Sequence, residues 1–129
     1  MSVAIRRLDG YYFRKGIRMN RIDHDTEEAV RRFLSLIRER YDVAGAILYG
    51  SRARGTHDHE SDADVAVLLK GEYRRFDALR DMSDISFDVM LETGVLISPL
   101  PLRLNDWERP ENYSNPELLR NIGREGIML

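Results

Sequence analysis

Two apolar runs, Val43–Tyr49 (VAGAILY) and Ala63–Leu69 (ADVAVLL), constrain the fold of this chain more than any other feature. Each has the length of a strand and is too short for a helix that must bury a face of its own. The first ends abruptly at Gly50-Ser51, and the second is entered through the polar stretch Thr56–Ser61. Helical spacing surrounds them. Ala29, Val30, Phe33, Leu34, Ile37 and Tyr41 fall on one face of a helix over Asp25–Tyr41, with Asp25 and Glu28 spaced as a capping box. Tyr73, Phe76, Leu79 and Met82 predict a helix over Glu72–Ser83. Ile85–Leu91 then alternates, Phe87, Val89 and Leu91 against Ser86, Asp88 and Met90, which predicts a strand. Pro99 and Pro101 confine the apolar segment Val95–Leu104 to a sheet edge or an extended connection. Asn115-Pro116 opens a last helix, with Leu118, Leu119 and Ile122 inward and Gly126 at its end. Helices alternating with strands in this order define one α/β (α+β) domain, a small mixed sheet flanked by helices.

The chain has 129 residues, enough for one modest core, and contains no cysteine. Disulfides, thiolate catalysis and cysteine-based zinc sites are thereby excluded. No apolar run reaches the roughly 18–20 residues that span a bilayer, and no signal-like apolar segment follows the basic start. A cytoplasmic protein is expected. Charge is unevenly spread. Residues 1–21 hold six cations against Asp9, a net of +5, which leaves −7 for the rest of a chain whose net charge is −2. An acidic body argues against stable nucleic-acid binding. The chain divides into a basic, aromatic arm (1–24) and a domain (25–129). Asp9-Gly10 in the arm is placed as a hairpin turn, and Met19 is an alternative natural start.

Chemistry concentrates in Leu48–Leu69. A strand delivers Gly50-Ser51 to a turn, and Ser51–Arg54 can begin a helix. Glycine permits the close backbone approach a phosphate needs, the helix start offers N–H groups, and the Ser51 hydroxyl adds a donor. Asp62 and Asp64 are two apart at the mouth of the second strand, so their side chains share a face with Cα atoms roughly 6.5–7 Å apart. That spacing suits carboxylates converging on metal ions, and aspartate is otherwise depleted in strands. Asp88, on the polar face of the predicted third strand, would complete a cluster of three acids. Such a cluster needs cations, because like charges ~4 Å apart repel by about 4 kcal/mol at an effective dielectric of 20. His57 and His59 flank Asp58 and Glu60 in a solvated loop, where imidazole is a poor match for Mg2+.

Gly50-Ser51, ten residues, then Asp62-Ala63-Asp64 resembles the signature of the minimal nucleotidyltransferases of the DNA polymerase beta superfamily. GSRARG, SDADVAVLL, FDVML and the closing NIGREGIML are similar to that family's wording, and the resemblance covers roughly Asp25–Leu129. It implies a polymerase-beta-like palm in which Gly50 and Ser51 hold the phosphates of ATP. Arg52 would lie beside the triphosphate, and Asp62, Asp64 and Asp88 would serve as catalytic ligands of two Mg2+ ions. It further implies transfer of AMP to a hydroxyl, with members acting as antitoxins that modify a tyrosine of a helical HEPN ribonuclease. A small-molecule hydroxyl presented by a separate subunit, and an antitoxin that acts by contact alone, remain alternatives. Self-association is compatible with all three.

Overall fold

The computed structural model describes residues 22–129. The arm and its Asp9-Gly10 turn lie outside the described residues, apart from Ile22–His24. Helix α1 (His24–Ile37) begins at Asp23, whose side chain accepts from Thr26 N at 2.8 Å. The cap is therefore two residues earlier than the Asp25 box suggested. Phe33, Ile37 and Ala29 are buried along its inner face, as their spacing requires. Strands β1 (Val43–Tyr49) and β2 (Ala63–Leu69) form where the apolar runs predict, and they pair antiparallel. Between them, the short helix α2 (Ser51–Arg54) follows Gly50 directly.

The segment after β2 departs from expectation. Arg75–Thr93 is one continuous helix, α3, ended by Gly94 in the left-handed region, and there is no strand at Ile85–Leu91. Its inner face is Ala78, Met82, Ile85, Ser86 and Val89, a helical spacing. The alternating pattern arose because Phe87 and Leu91 are apolar yet point outward, as do Phe76 and Leu79. Topology supplies the physical reason for one long helix. The next strand, β3 (Ile97–Arg103), runs parallel to β2, and parallel neighbours require a long crossover. Pro99 and Pro101 are accommodated because β3 is an edge strand.

After β3 come the short helix α4 (Leu104–Glu108), a 3-10 turn (Pro110–Asn112) and helix α5 (Pro116–Glu125). Asn115 caps α5 by accepting from Leu118 N at 3.3 Å. A final strand, β4 (Ile127–Met128), pairs with β1, giving the sheet order β3-β2-β1-β4.

The sheet has two apolar faces. Ala63, Val65, Val67 and Leu69 pack with α1 and α3, whereas Ala66 and Leu68 pack with Leu102, Leu119 and Ile122 on the side of α4 and α5. Gly126 is required for a steric reason. Its φ of −76° suits any residue, but a Cβ there would overlap Ile47 Cγ2 and the Ile122 carbonyl. Gly126→Ala should therefore destabilise the fold by about 1–3 kcal/mol, the usual cost of overpacking, read as a lower urea midpoint.

Candidate functional site

Gly50 sits at φ 77°, in the region that favours glycine, and a Cβ built on it would collide with Asp64 Oδ2. The turn and the second aspartate thus touch, with only a hydrogen atom's room between them. Helical bonding starts at the Gly50 carbonyl, which accepts from Ala53 N and Arg54 N at 3.1 and 3.0 Å. The N–H groups of Ser51 and Arg52 therefore precede the first intrahelical bond.

Asp64 occupies the sheet between Tyr49 of β1 and Ser98 of β3. Alternation along β2 puts it on the face of Ala66 and Leu68, beneath the side of α4 and α5. Partial burial pushes its carboxyl above the ordinary value of 3.8, and the neighbouring Asp62 charge raises it further, while Arg54 opposes both. Asp62 is exposed at the loop end. The Asp64 carboxyl, close to Asp62 and against a turn cleared of side chain, thus sits where its negative charge is disfavoured. Tyr49 adds a neutral hydroxyl on this face. Burial first, then the Asp64 charge and Tyr113, pushes its phenol up to about 12.

Arg52 is turned into the protein rather than out at the turn. Its side chain is buried, and the guanidinium donates to Ser61 O at 2.9 Å, Thr26 Oγ1 at 2.8 Å, and the Asp58 and His59 carbonyls at 3.3 and 3.4 Å. It holds the loop that leads into Asp62 against the first turn of α1. His57 reinforces this attachment through Nε2 to the Asp23 carboxylate, and His59 stays in solvent. Burial opposes ionisation of Asp23, but its bonds to Thr26 and His57 outweigh that and hold it below the usual carboxylate value. Of the two arginines in the motif, Arg54 is the one felt by Asp64. It is exposed and bridges Glu125 on α5 at 2.8 Å.

Asp88 does not join the aspartate pair. It is exposed on α3, the helix packed against the sheet face opposite to Asp64. Among the described residues, no group of three or more His, Cys, Asp or Glu side chains is placed to hold a metal ion. The expected trio is a duo, because the strand that was to carry the third acid is a helix. The β3 position level with Asp64 is Ser98. Nothing in the linear pattern pointed to Ser98 or to Tyr49 as site residues. Both follow only from strand register.

The profile described as "Nucleotidyltransferase domain" matches residues 30–115, and the chain belongs to that family. Three proteins of Methanocaldococcus jannaschii are similar over shorter or weaker alignments. "Putative protein adenylyltransferase MJ1305" is 34% identical over 77 residues, covering 57% of this chain and 52% of that protein. "Putative protein adenylyltransferase MJ0141" is 35% identical over 71 residues, covering 52% and 71%. "Putative protein adenylyltransferase MJ0604" is 26% identical over 105 residues, covering 80% and 96%. The match thus spans about half the length of the first relative. A crystal structure of a "putative nucleotidyltransferase" from Sulfolobus solfataricus aligns with 67% of this chain and 80% of its own. Its TM-score is 0.43 at 20% identity, a likeness too slight to argue from. The fold is mixed α/β, a four-stranded sheet flanked by helices, and no described helix is long and apolar enough to cross a membrane.

Two outcomes follow from the electrostatics and the buried arginine. Asp64 binds its proton more tightly folded than unfolded, so the metal-free fold loses stability as pH rises from 3.8 through the raised value. Asp64→Asn should remove that penalty at neutral pH, raising Tm in chelator by roughly 1–3 °C, a small shift because the group is only partly buried. Arg52→Lys cannot reproduce four directed bonds, and should lower the urea midpoint and make the Gly55–Ser61 backbone exchange amide hydrogens faster.

Proposed function

We propose that this domain transfers AMP from ATP, in the presence of Mg2+, to a hydroxyl of a protein partner, the acceptor being a tyrosine of a helical HEPN-type ribonuclease toxin. The observation that carries the catalytic half is the contact between Gly50 and the Asp64 carboxylate, with Asp62 beside it. The protein acceptor is supported by the names of the similar proteins, and the HEPN toxin by the family resemblance alone.

The donor set fits the metal. Mg2+ prefers oxygen and is commonly held by one or two carboxylates together with substrate phosphates, and Asp62 and Asp64 offer two acids. When bound, the ion neutralises phosphate charge and lowers the pKa of the attacking hydroxyl. The chain's own residues do the rest. Gly50 lets the Asp64 carboxylate close on the turn, Ser51 donates its hydroxyl to a phosphate oxygen, and the rigid turn fixes orientation before reaction. A bond forms between the acceptor oxygen and the α-phosphorus. The α–β anhydride bond breaks, pyrophosphate departs, and the acceptor's proton passes to solvent. Arg52 contributes at one remove, by holding the loop that presents Asp62.

One observation favours a second reading. Ser98 stands level with Asp64 on β3, so the pair lacks a third carboxylate, and a domain so equipped can bind nucleotide and partner with little turnover.

The test uses the full chain with Mg-ATP and the product of the adjacent reading frame, read by intact-mass spectrometry for an AMP adduct. Asp62→Asn and Asp64→Asn should each lower adduct formation by roughly 100-fold or more while circular dichroism is unchanged. Asp88→Asn should stay within about two-fold, since that side chain lies on the other side of the sheet. Ser98→Asp should accelerate the reaction. Wild-type inhibition of the partner that survives both aspartate losses, with no adduct, would establish the contact-only reading instead.

A further inference from the structure

Two arginines at the far end of β3 have no part in the site. Arg75 opens α3, and Arg103 closes β3. The residues lining a cavity of about 260 Å3 include both, together with Tyr73, Asp106, Asn112 and Tyr113. Each guanidinium lies against a ring. Arg75 stands 5.6 Å from the Tyr113 centroid and donates Nη2 to the Tyr113 hydroxyl at 2.9 Å, and Arg103 stands 5.3 Å from the Tyr73 centroid. Among the described residues neither arginine forms an ion pair, although Asp106 lines the same cavity, and the Arg103 guanidinium donates to no described residue. Stacking on a ring restrains the plane of a guanidinium and leaves its N–H edges open for bonding.

We propose that this cavity binds the carboxylate of an acidic side chain on the protein acceptor, gripped between Arg75 and Arg103. Arginine forks match the paired oxygens of a carboxylate. The class of ligand follows from charge. Residues 70–75 and 103–114 hold five cations against four acids, a net of +1. Asp77, the next acid along α3, stands near Tyr41 and Arg80. A single net positive charge suits a monoanionic carboxylate, whereas a phosphate dianion would remain half uncompensated. Tyr73 adds a donor. Partial burial pushes its phenol above the ordinary value of 10.0, so it keeps its proton, while Arg103 and Arg75 pull the other way, so both cations act on one hydroxyl. Arg103 lies five residues beyond Ser98 on β3, roughly 16 Å from the level of Asp64. Tyr113 stands between, since the Tyr49 phenol feels both it and Asp64. A partner anchored here can present a hydroxyl to the aspartate pair. That the carboxylate belongs to the acceptor rests on the proposed transfer to a protein.

Two measurements on the full chain test this. In the first, acetyl-Glu-Glu-amide is titrated into 15N-labelled protein at fixed ionic strength, and the arginine Nε–Hε resonances are followed. Those of Arg75 and Arg103 should shift together and saturate. Arg103→Gln should weaken the apparent affinity by about five-fold or more with an unchanged thermal melt, because that side chain is exposed. In the second, Arg75→Gln and Arg103→Gln should each raise the KM for the product of the adjacent reading frame by about ten-fold or more, with the KM for Mg-ATP unmoved. Tyr113→Phe, which keeps the ring and loses the bond to Arg75, should raise it less. Resonances that ignore the peptide overturn the proposal, as does inorganic phosphate bound more tightly than the peptide. A partner KM indifferent to both glutamine substitutions overturns it equally. A partner that receives no AMP from the wild type counts against the transfer reading, and the peptide titration then decides the carboxylate site by itself.

Discussion

A buried guanidinium organises the functional end of this domain. Arg52 is 2% exposed and its hydrogen-bond partners are three carbonyls and a hydroxyl, with no carboxylate among them. Removing a cation from water is costly, and here multiple directed bonds offset that cost. The consequence is positional. Three segments distant in sequence, the first turn of α1, the Gly50-Ser51 turn and the loop into Asp62, are fastened at one point. Asp23 with His57 supplies a second fastening a few residues away. The loop can therefore be polar and exposed yet end at a defined place beside β2.

From that fixed frame, the electrostatics of the site are intelligible. Asp64 is held between Tyr49 and Ser98 at the end of a central strand, where hydration is reduced and Asp62 is near. The fold accepts a carboxylate that ionises less readily than in water. A tolerated penalty of this sort is common where a cation is to be bound, since binding then relieves it. Gly50 completes the arrangement by contributing an absence: any side chain would occupy the space against Asp64.

Much of the fold was legible in the linear pattern. β1 and β2 appear at the residues their apolar runs named, and the Asn115-Pro116 start of α5 is where its cap chemistry put it. The failure lies in 72–91, and its cause is instructive. Phe76, Leu79, Phe87 and Leu91 are apolar but face solvent, so a pattern that equates apolar with inward produced a short helix and a false strand. Asp88 went with it. Its supposed place beside Asp62 and Asp64 depended on strand alternation that does not exist there, and the helix carries it to the far side of the sheet. Arg52 failed differently: an arginine beside a phosphate-type turn is most simply aimed at the ligand, and only packing shows it turned inward.

Sequence alone determined the elements whose cause is local: the strands from their apolar runs, the turn from Gly50, the paired acids from a two-residue spacing, and the family from the combination. Tertiary structure decided everything that depends on which distant segments are neighbours. The parallel pairing of β2 with β3 put Ser98 beside Asp64, the crossover made α3 a single helix, and burial turned Arg52 from ligand contact to internal fastener. Local spacing reports the face of an element on which a side chain lies. What lies opposite that face is set by long-range packing, which no short window of residues contains.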